Sequence, residues 1–257
     1  VARRKMLVGN WKMYKTVAEA RAFAEALGRL SGRLSDDLEY AICPPVTALQ
    51  TLRVVMPTKV ALGAQNVYFE PQGAFTGEVS TDMVKELGAR YVIVGHSERR
   101  TLFCETDDLV QKKVQAVVAA GMVPILCVGE NLVERDAGET LPVVRRQTER
   151  GLAGLSGAAV AQTVVAYEPV WAIGSGRTPS AEDAEVVIAA IRGVIAEQHG
   201  LEAAEAVRIL YGGSVKPNNI AGFCGQPNID GALVGGASLE AESFVAMAEA
   251  MAGGDNA

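Results

Sequence analysis

The sequence predicts a (β/α)8 barrel, with eight parallel strands inside an outer ring of helices and residues 1–257 forming one domain. Three observations predict it. Short β-rich apolar runs alternate with segments of helical spacing along the whole chain. Eight such units suit a closed barrel better than an open doubly wound sheet. No Pro/Ser-rich linker or break in composition divides the chain. Apolar residues make up 49% of the sequence and aromatic ones only 5%, which suits helices packed closely on a sheet through Ala, Val and Gly.

The first expected strand, Met6–Val8, runs into "GNWKMY", and Val17–Leu30 has helical spacing. Tyr40–Cys43 and Val60–Ala64 are the second and third strands. Tyr91–Val94 is the fourth, followed by "GHSERR" and by a helical segment, Leu109–Ala120, that Gly121 closes. Val123–Val128 is the fifth strand. Thr163–Tyr167 is the sixth and leads into "YEPVWAIGSGRT". Ser180, with Asp183 three residues on, marks the start of the helix Ala181–His199, and Gly200 marks its end. Arg208–Tyr211 precedes "YGGSV", and Ala232–Val234 precedes "VGGAS" and the helical segment Glu240–Met251. In such a barrel the chemistry sits on the loops after the strands. The five unusual stretches all fall there, on one rim.

The net charge of −6 argues against a nucleic-acid binder, which needs clustered positive charge, but leaves room for a local basic site for a small anion. No run of about 18 apolar residues is present, so no membrane span is expected. The opening VARRKMLVG has too short an apolar stretch for a secretion signal. Cys43, Cys104, Cys127 and Cys224 are scattered without a CxxC pair and read as buried, reduced thiols of a cytoplasmic protein.

Asn10 and Lys12 stand two apart beyond the first strand; if the backbone stays extended they point to the same side. Lys12 could fix a phosphate or stabilise an oxyanion, and equally be a surface lysine. His96 opens the polar turn Ser97-Glu98-Arg99-Arg100. A helix starting there would aim positive peptide ends at the ring and favour the neutral imidazole. His199 is most simply a helix-end residue. Glu168 abuts Pro169, Val170, Trp171 and Ile173, so closure of that segment would desolvate the carboxylate and strengthen it as a base. The plain alternative is a strand-end Glu paired with a nearby cation. Gly174-Ser175-Gly176 suits a lid. Gly212-Gly213-Ser214 and Gly235-Gly236 let backbone N–H groups approach a phosphate, as recurs after strands seven and eight of these barrels.

Taken in order, "GNWKM", "GAFTGE", "VGHSERR", "CVGE", "AYEPVWAIGSG", "YGGSV" and "LVGGASL" resemble the triosephosphate isomerase family over nearly the whole chain. The resemblance implies interconversion of dihydroxyacetone phosphate and D-glyceraldehyde 3-phosphate through an enediolate, in glycolysis and gluconeogenesis, without metal or organic cofactor. It makes Glu168 the base, neutral His96 the electrophile and proton shuttle, and Lys12, with Asn10, the stabiliser of enediolate and phosphate. Ser97 and Glu98 would support His96. Amides of Gly174, Ser214, Gly235 and Gly236 would hold the phosphate. Pro169, Val170, Trp171, Ala172, Ile173, Gly174, Ser175, Gly176, Arg177, Thr178 and Pro179 would form the lid, which keeps an enediolate phosphate from expelling phosphate into water. The resemblance also implies a homodimer in which Phe75 and Thr76 reach the partner, with Thr76 near its Asn10 and His96.

Two positions depart from the family pattern. Tyr14 replaces a smaller polar residue. Pro179 stands where an alanine N–H meets the hydroxyl of the tyrosine matching Tyr211 when the lid shuts; proline has no N–H to give. Two rival readings remain at this stage, an aldolase using Lys12 as a Schiff-base amine and a barrel kept as a non-catalytic binding protein.

Overall fold

The computed structural model describes residues 3–173 and 178–253. Eight parallel strands, β1 (Met6–Asn10), β2 (Glu39–Cys43), β3 (Val60–Ala64), β4 (Ala89–Val94), β5 (Val123–Val128), β6 (Val164–Tyr167), β7 (Arg208–Tyr211) and β8 (Gly231–Val234), pair in chain order. β8 then closes on β1, Met6 opposite Gly231 and Val8 opposite Leu233. The closure leaves no sheet edge to protect.

Both faces of these strands are apolar because both are covered. One set of alternate side chains, including Val8, Ile93, Ile125, Val164 and Leu210, fills the barrel. The other set, including Leu7, Ile42, Val92, Leu126 and Ile209, packs outward beneath the helices. Each fully buried Val, Leu or Ile contributes about 1.5–3 kcal/mol. The seams are uneven: β1 and β2 pair over five positions, whereas β7 and β8 pair only through Tyr211 and Ala232.

The helices are α1 (Val17–Leu30), α2 (Val46–Val55), α3 (Thr81–Glu86), α4 (Ser97–Leu102), α5 (Asp107–Ala119), α6 (Leu132–Asp136), α7 (Thr140–Leu152), α8 (Gly157–Val160), α9 (Ala181–His199), α10 (Leu201–Ala206), α11 (Ile220–Cys224) and α12 (Ala241–Gly253). Their ends follow the chemistry read from the sequence. The Ser180 side chain accepts from the Asp183 amide, and Gly200, at φ 92°, ends α9. None of the described helices is long and apolar enough to cross a membrane.

The N-terminal end of the barrel is closed by charge. Glu39 at the start of β2 accepts from Arg208 Nη1 at 2.6 Å and from the Tyr91 hydroxyl, with Arg90 at 3.2 Å. Burial pushes the Glu39 pKa up, but Tyr91 and the two arginines outweigh it and hold the carboxyl below the usual range.

Four expectations need correction. β1 continues two residues past Val8, so Asn10 is a strand residue. Backbone extension does not reach Lys12, which has φ 53°. Thr163 lies outside β6, its hydroxyl turned back to the Val160 carbonyl at 2.8 Å. Of the cysteines, Cys43, Cys127 and Cys224 are buried as expected, but Cys104 is exposed. It sits at φ 53° just after α4, where the chain turns outward.

Candidate active site

The C-terminal ends of the strands carry a cavity of about 290 Å³ whose walls include Asn10, Lys12, His96, Glu168, Gly212, Gly213, Ser214, Gly235 and Gly236. Residues from five strands thus meet at one hollow, although they lie up to more than 200 positions apart in the chain.

Lys12 reaches this cavity by a strained route. Its amide donates to Asn10 Oδ1 at 3.0 Å, and its carbonyl accepts from Gln65 Nε2 at 2.8 Å. Those two bonds hold a left-handed conformation that a lysine rarely adopts. The ammonium then pairs with Glu98 Oε1 at 2.6 Å. Its Cε would stand 3.4 Å from a Cβ placed on Gly235, so Lys12 lies beside the glycine turn after β8.

His96 caps α4, as the sequence led us to expect. Its Nδ1 accepts the Glu98 amide at 3.2 Å, and its Nε2 lies 2.8 Å from Glu168 Oε1. Burial opposes charge on this ring, the Glu168 carboxylate favours it, and the pKa ends above the ordinary histidine value. The Glu98 amide limits that effect. A ring whose Nδ1 is accepting carries one proton, on Nε2, and reaching the imidazolium means breaking this bond.

Glu168 is buried just past β6. Its Oε2 accepts the Ser97 amide at 3.0 Å and its Oε1 the His96 Nε2–H. Burial alone would raise its pKa; His96, the Ser97 amide and Lys12 outweigh it and bring the carboxyl below the ordinary value. A side chain on Gly212 would fall 2.9 Å from Glu168 Cγ, so that glycine gives the carboxylate its room.

On the far wall, Gly212-Gly213-Ser214 follows β7, and Gly235-Gly236 enters a 3₁₀ turn, Gly236–Ser238. Lys216 lines the same hollow and was not among the residues singled out from sequence, although a lysine two residues past "GGS" is a readable sign.

The segment after Glu168 begins with a 3₁₀ turn, Val170–Ala172. Glu130, the last residue of "CVGE", anchors it: Trp171 Nε1 donates to Glu130 Oε1 at 2.8 Å and the Tyr167 hydroxyl donates to Oε2 at 3.1 Å. The Arg135 guanidinium stacks on Trp171 at 3.9 Å. Gly174, Ser175, Gly176 and Arg177 lie outside the described residues. Thr178 is exposed and Pro179 is buried. Among the described residues the buried Tyr211 hydroxyl has no hydrogen-bond partner, and its ring stacks on Phe223 at 4.1 Å.

A second cavity of about 360 Å³ shares Asn10, Lys12 and His96 with the first and opens beside Gln65, Gly77 and Phe103. Met13, Tyr14, Phe75, Met83, Leu102 and Phe103 leave large apolar surfaces exposed. Thr76 is exposed and lines neither cavity of its own chain.

A family model described as triosephosphate isomerase matches residues 5–251. The triosephosphate isomerase of Roseiflexus sp. (strain RS-1) is 54% identical over 244 residues, 95% of this chain and 96% of that one. That of Symbiobacterium thermophilum is 54% identical over 252 residues, 97% and 98% of the two chains. That of Moorella thermoacetica is 52% identical over 246 residues, 95% and 98%. With a closed eight-stranded barrel and these matches along nearly its full length, the chain belongs to the triosephosphate isomerase family.

Proposed function

We propose that the protein interconverts dihydroxyacetone phosphate and D-glyceraldehyde 3-phosphate by proton transfer. The observation that carries this reading is the 2.8 Å approach of His96 Nε2 to Glu168 Oε1 in a cavity that also holds Lys12 and two glycine turns. The substrate carbonyl competes for the His96 Nε2–H and so releases Glu168. The freed carboxylate takes a proton from the carbon beside the carbonyl, and the electron pair moves through the new C–C double bond to the carbonyl oxygen. His96 gives that oxygen its Nε2 proton and takes one from the neighbouring hydroxyl. Glu168 then returns its proton to the adjacent carbon, and no proton is gained or lost overall. Lys12, with Asn10 beside it, balances the charge on the enediolate and phosphate.

The phosphate falls to the amides of Ser214, Gly235 and Gly236, with Gly174 contributing from the lid. Ser97 and Glu98 support the reacting groups: the Ser97 amide holds Glu168, and Glu98 pairs with Lys12 and sets the His96 tautomer. We further propose a cytoplasmic homodimer in which Thr76 and Phe75 of a second copy enter the cavity beside Asn10, Lys12 and His96. Exposed Met13 and Phe103 in the wall of that cavity support it. A Schiff-base reading of Lys12 is less supported, because its ammonium is committed to Glu98 and not isolated in an apolar pocket.

A coupled isomerisation assay with dihydroxyacetone phosphate tests the proposal, and borohydride trapping with the same substrate tests the rival. Turnover without trapping is expected; trapping at Lys12 without isomerisation would reverse the assignment.

A further inference from the structure

Gln147 lies on α7, one layer behind the catalytic rim, buried within the charged stretch "RRQTER". Its carboxamide meets both polar main-chain groups of one residue, Gly129, just past β5. Oε1 accepts the Gly129 N–H at 2.7 Å, and Nε2 donates to the Gly129 carbonyl at 3.3 Å. A planar amide that meets both polar groups of one residue fixes the orientation of that residue's backbone.

Gly129 is in turn the surface on which Glu168 rests. The Glu168 amide donates to the Val128 carbonyl at 2.8 Å and the Val170 amide to the Glu130 carbonyl at 3.0 Å, so the two chains run together on either side of Gly129. A Cβ on Gly129 would overlap the Glu168 carbonyl oxygen and lie 2.6 Å from the carbonyl carbon. Any movement of Gly129 toward the barrel is therefore delivered to the Glu168 main chain. Room to move exists on the other side, where a cavity of about 500 Å³ is lined by Gly129, Gln147, Val170 and Ser97.

We propose that Gln147 is a positioning residue for Glu168: it holds Gly129 as a rigid backstop and so sets where the carboxylate stands relative to His96. The inference rests on Glu168 being the proton-transferring base. With the carboxamide removed, Gly129 takes water from the cavity in place of Gln147, the fold survives, and Glu168 loses its fixed seat.

The full-length protein tests this with Gln147→Leu and Gln147→Glu. Gln147→Leu is expected to lower kcat about 10- to 100-fold, the scale for displacing a reacting group by about 1 Å. The inhibition constant for inorganic phosphate should move less than about twofold, since the glycine turns are untouched. Gln147→Glu adds a readout that a purely structural role would not move. An uncharged carboxyl reproduces both contacts, whereas a carboxylate keeps only the one with the Gly129 N–H. The charged groups around its cavity are Arg100, Glu105, Asp107, Glu134 and Arg146. The kcat of Gln147→Glu relative to the parent at the same pH should climb as pH falls from about 8 to about 5, the interval in which a buried glutamate regains its proton. Parent-like kcat in Gln147→Leu overturns the proposal. If that variant fails to fold, a flat Gln147→Glu ratio across pH overturns it, and a climbing one upholds it. A parent without isomerase activity would sink the functional reading instead, so the two failures are distinguishable.

Discussion

His96 faces Glu168 through Nε2 at 2.8 Å while its Nδ1 is occupied by the Glu98 amide, so the ring can present only one proton and presents it to the carboxylate. Nitrogen-15 spectra of the labelled protein should show His96 as the neutral tautomer protonated at Nε2 at pH 7. An imidazolium signature there would contradict the assignment. His96→Gln should lower kcat by about 10²–10⁴, the usual yield of general acid–base help, and an unaltered rate would free the histidine from the mechanism.

Glu168→Asp draws the carboxylate back by one methylene without disturbing the Ser214 or Gly235 turns. Turnover should fall by about 10² or more, with the inhibition constant for inorganic phosphate nearly unchanged. Both constants come from one set of steady-state assays, and parent-like turnover would remove Glu168 from its role.

The Tyr211 hydroxyl is buried without a partner among the described residues, and Pro179 cannot supply the N–H that the family pattern places opposite it. Tyr211→Phe should therefore leave turnover within about twofold and raise unfolding stability by about 1 kcal/mol, because an unsatisfied hydroxyl is removed. In a Pro179→Ala background the same change should cost turnover. A double-mutant cycle in kcat with no coupling would show that alanine restores no such bond.

Glu39 gives a pH test. Its folded pKa is depressed by Tyr91 and the arginines, so its contribution is fully present above the unfolded value of about 4.3 and is lost as pH falls through the lower folded value. Glu39→Gln should cost about 1.5–3 kcal/mol at pH 7. That deficit should shrink steadily below about pH 4. Denaturant midpoints of parent and variant at several pH values check it; a deficit independent of pH would assign the loss to packing.

Phe75→Asp places a charge on an exposed apolar residue close in sequence to Gly77 and Glu78, which line the second cavity. Sedimentation should give half the parent's mass, with loss of isomerase activity. A variant of parental mass and rate would exclude Phe75 and its neighbour Thr76 from the subunit contact.

The barrel was legible because its strands are apolar on both faces and end in residues that packing does not need. Thr163 was misread because Thr is a strand former whose hydroxyl here prefers the preceding turn. That Asn10, His96 and Glu168 share one cavity was legible for a related reason: a polar residue following a buried run on a barrel strand points to the rim. What could not be read depends on partners distant in sequence. The turn at Lys12 is held by Gln65, far along the chain at the end of β3. Gln147 looks like one more polar residue on a charged helix until Gly129 is seen against it. Glu130, the last residue of "CVGE", shows no task in the sequence because the Trp171 it holds lies 41 residues further on.

The narrow joint between β7 and β8, with its single Tyr211–Ala232 pairing, lies directly below the two glycine turns. A bound anion gripped from both sides would act as a clasp across the weakest seam of the ring. Occupancy should then slow amide hydrogen exchange in Leu210, Tyr211 and Leu233 more than in the well-stitched strands β1 and β2, so that ligand and scaffold tighten together.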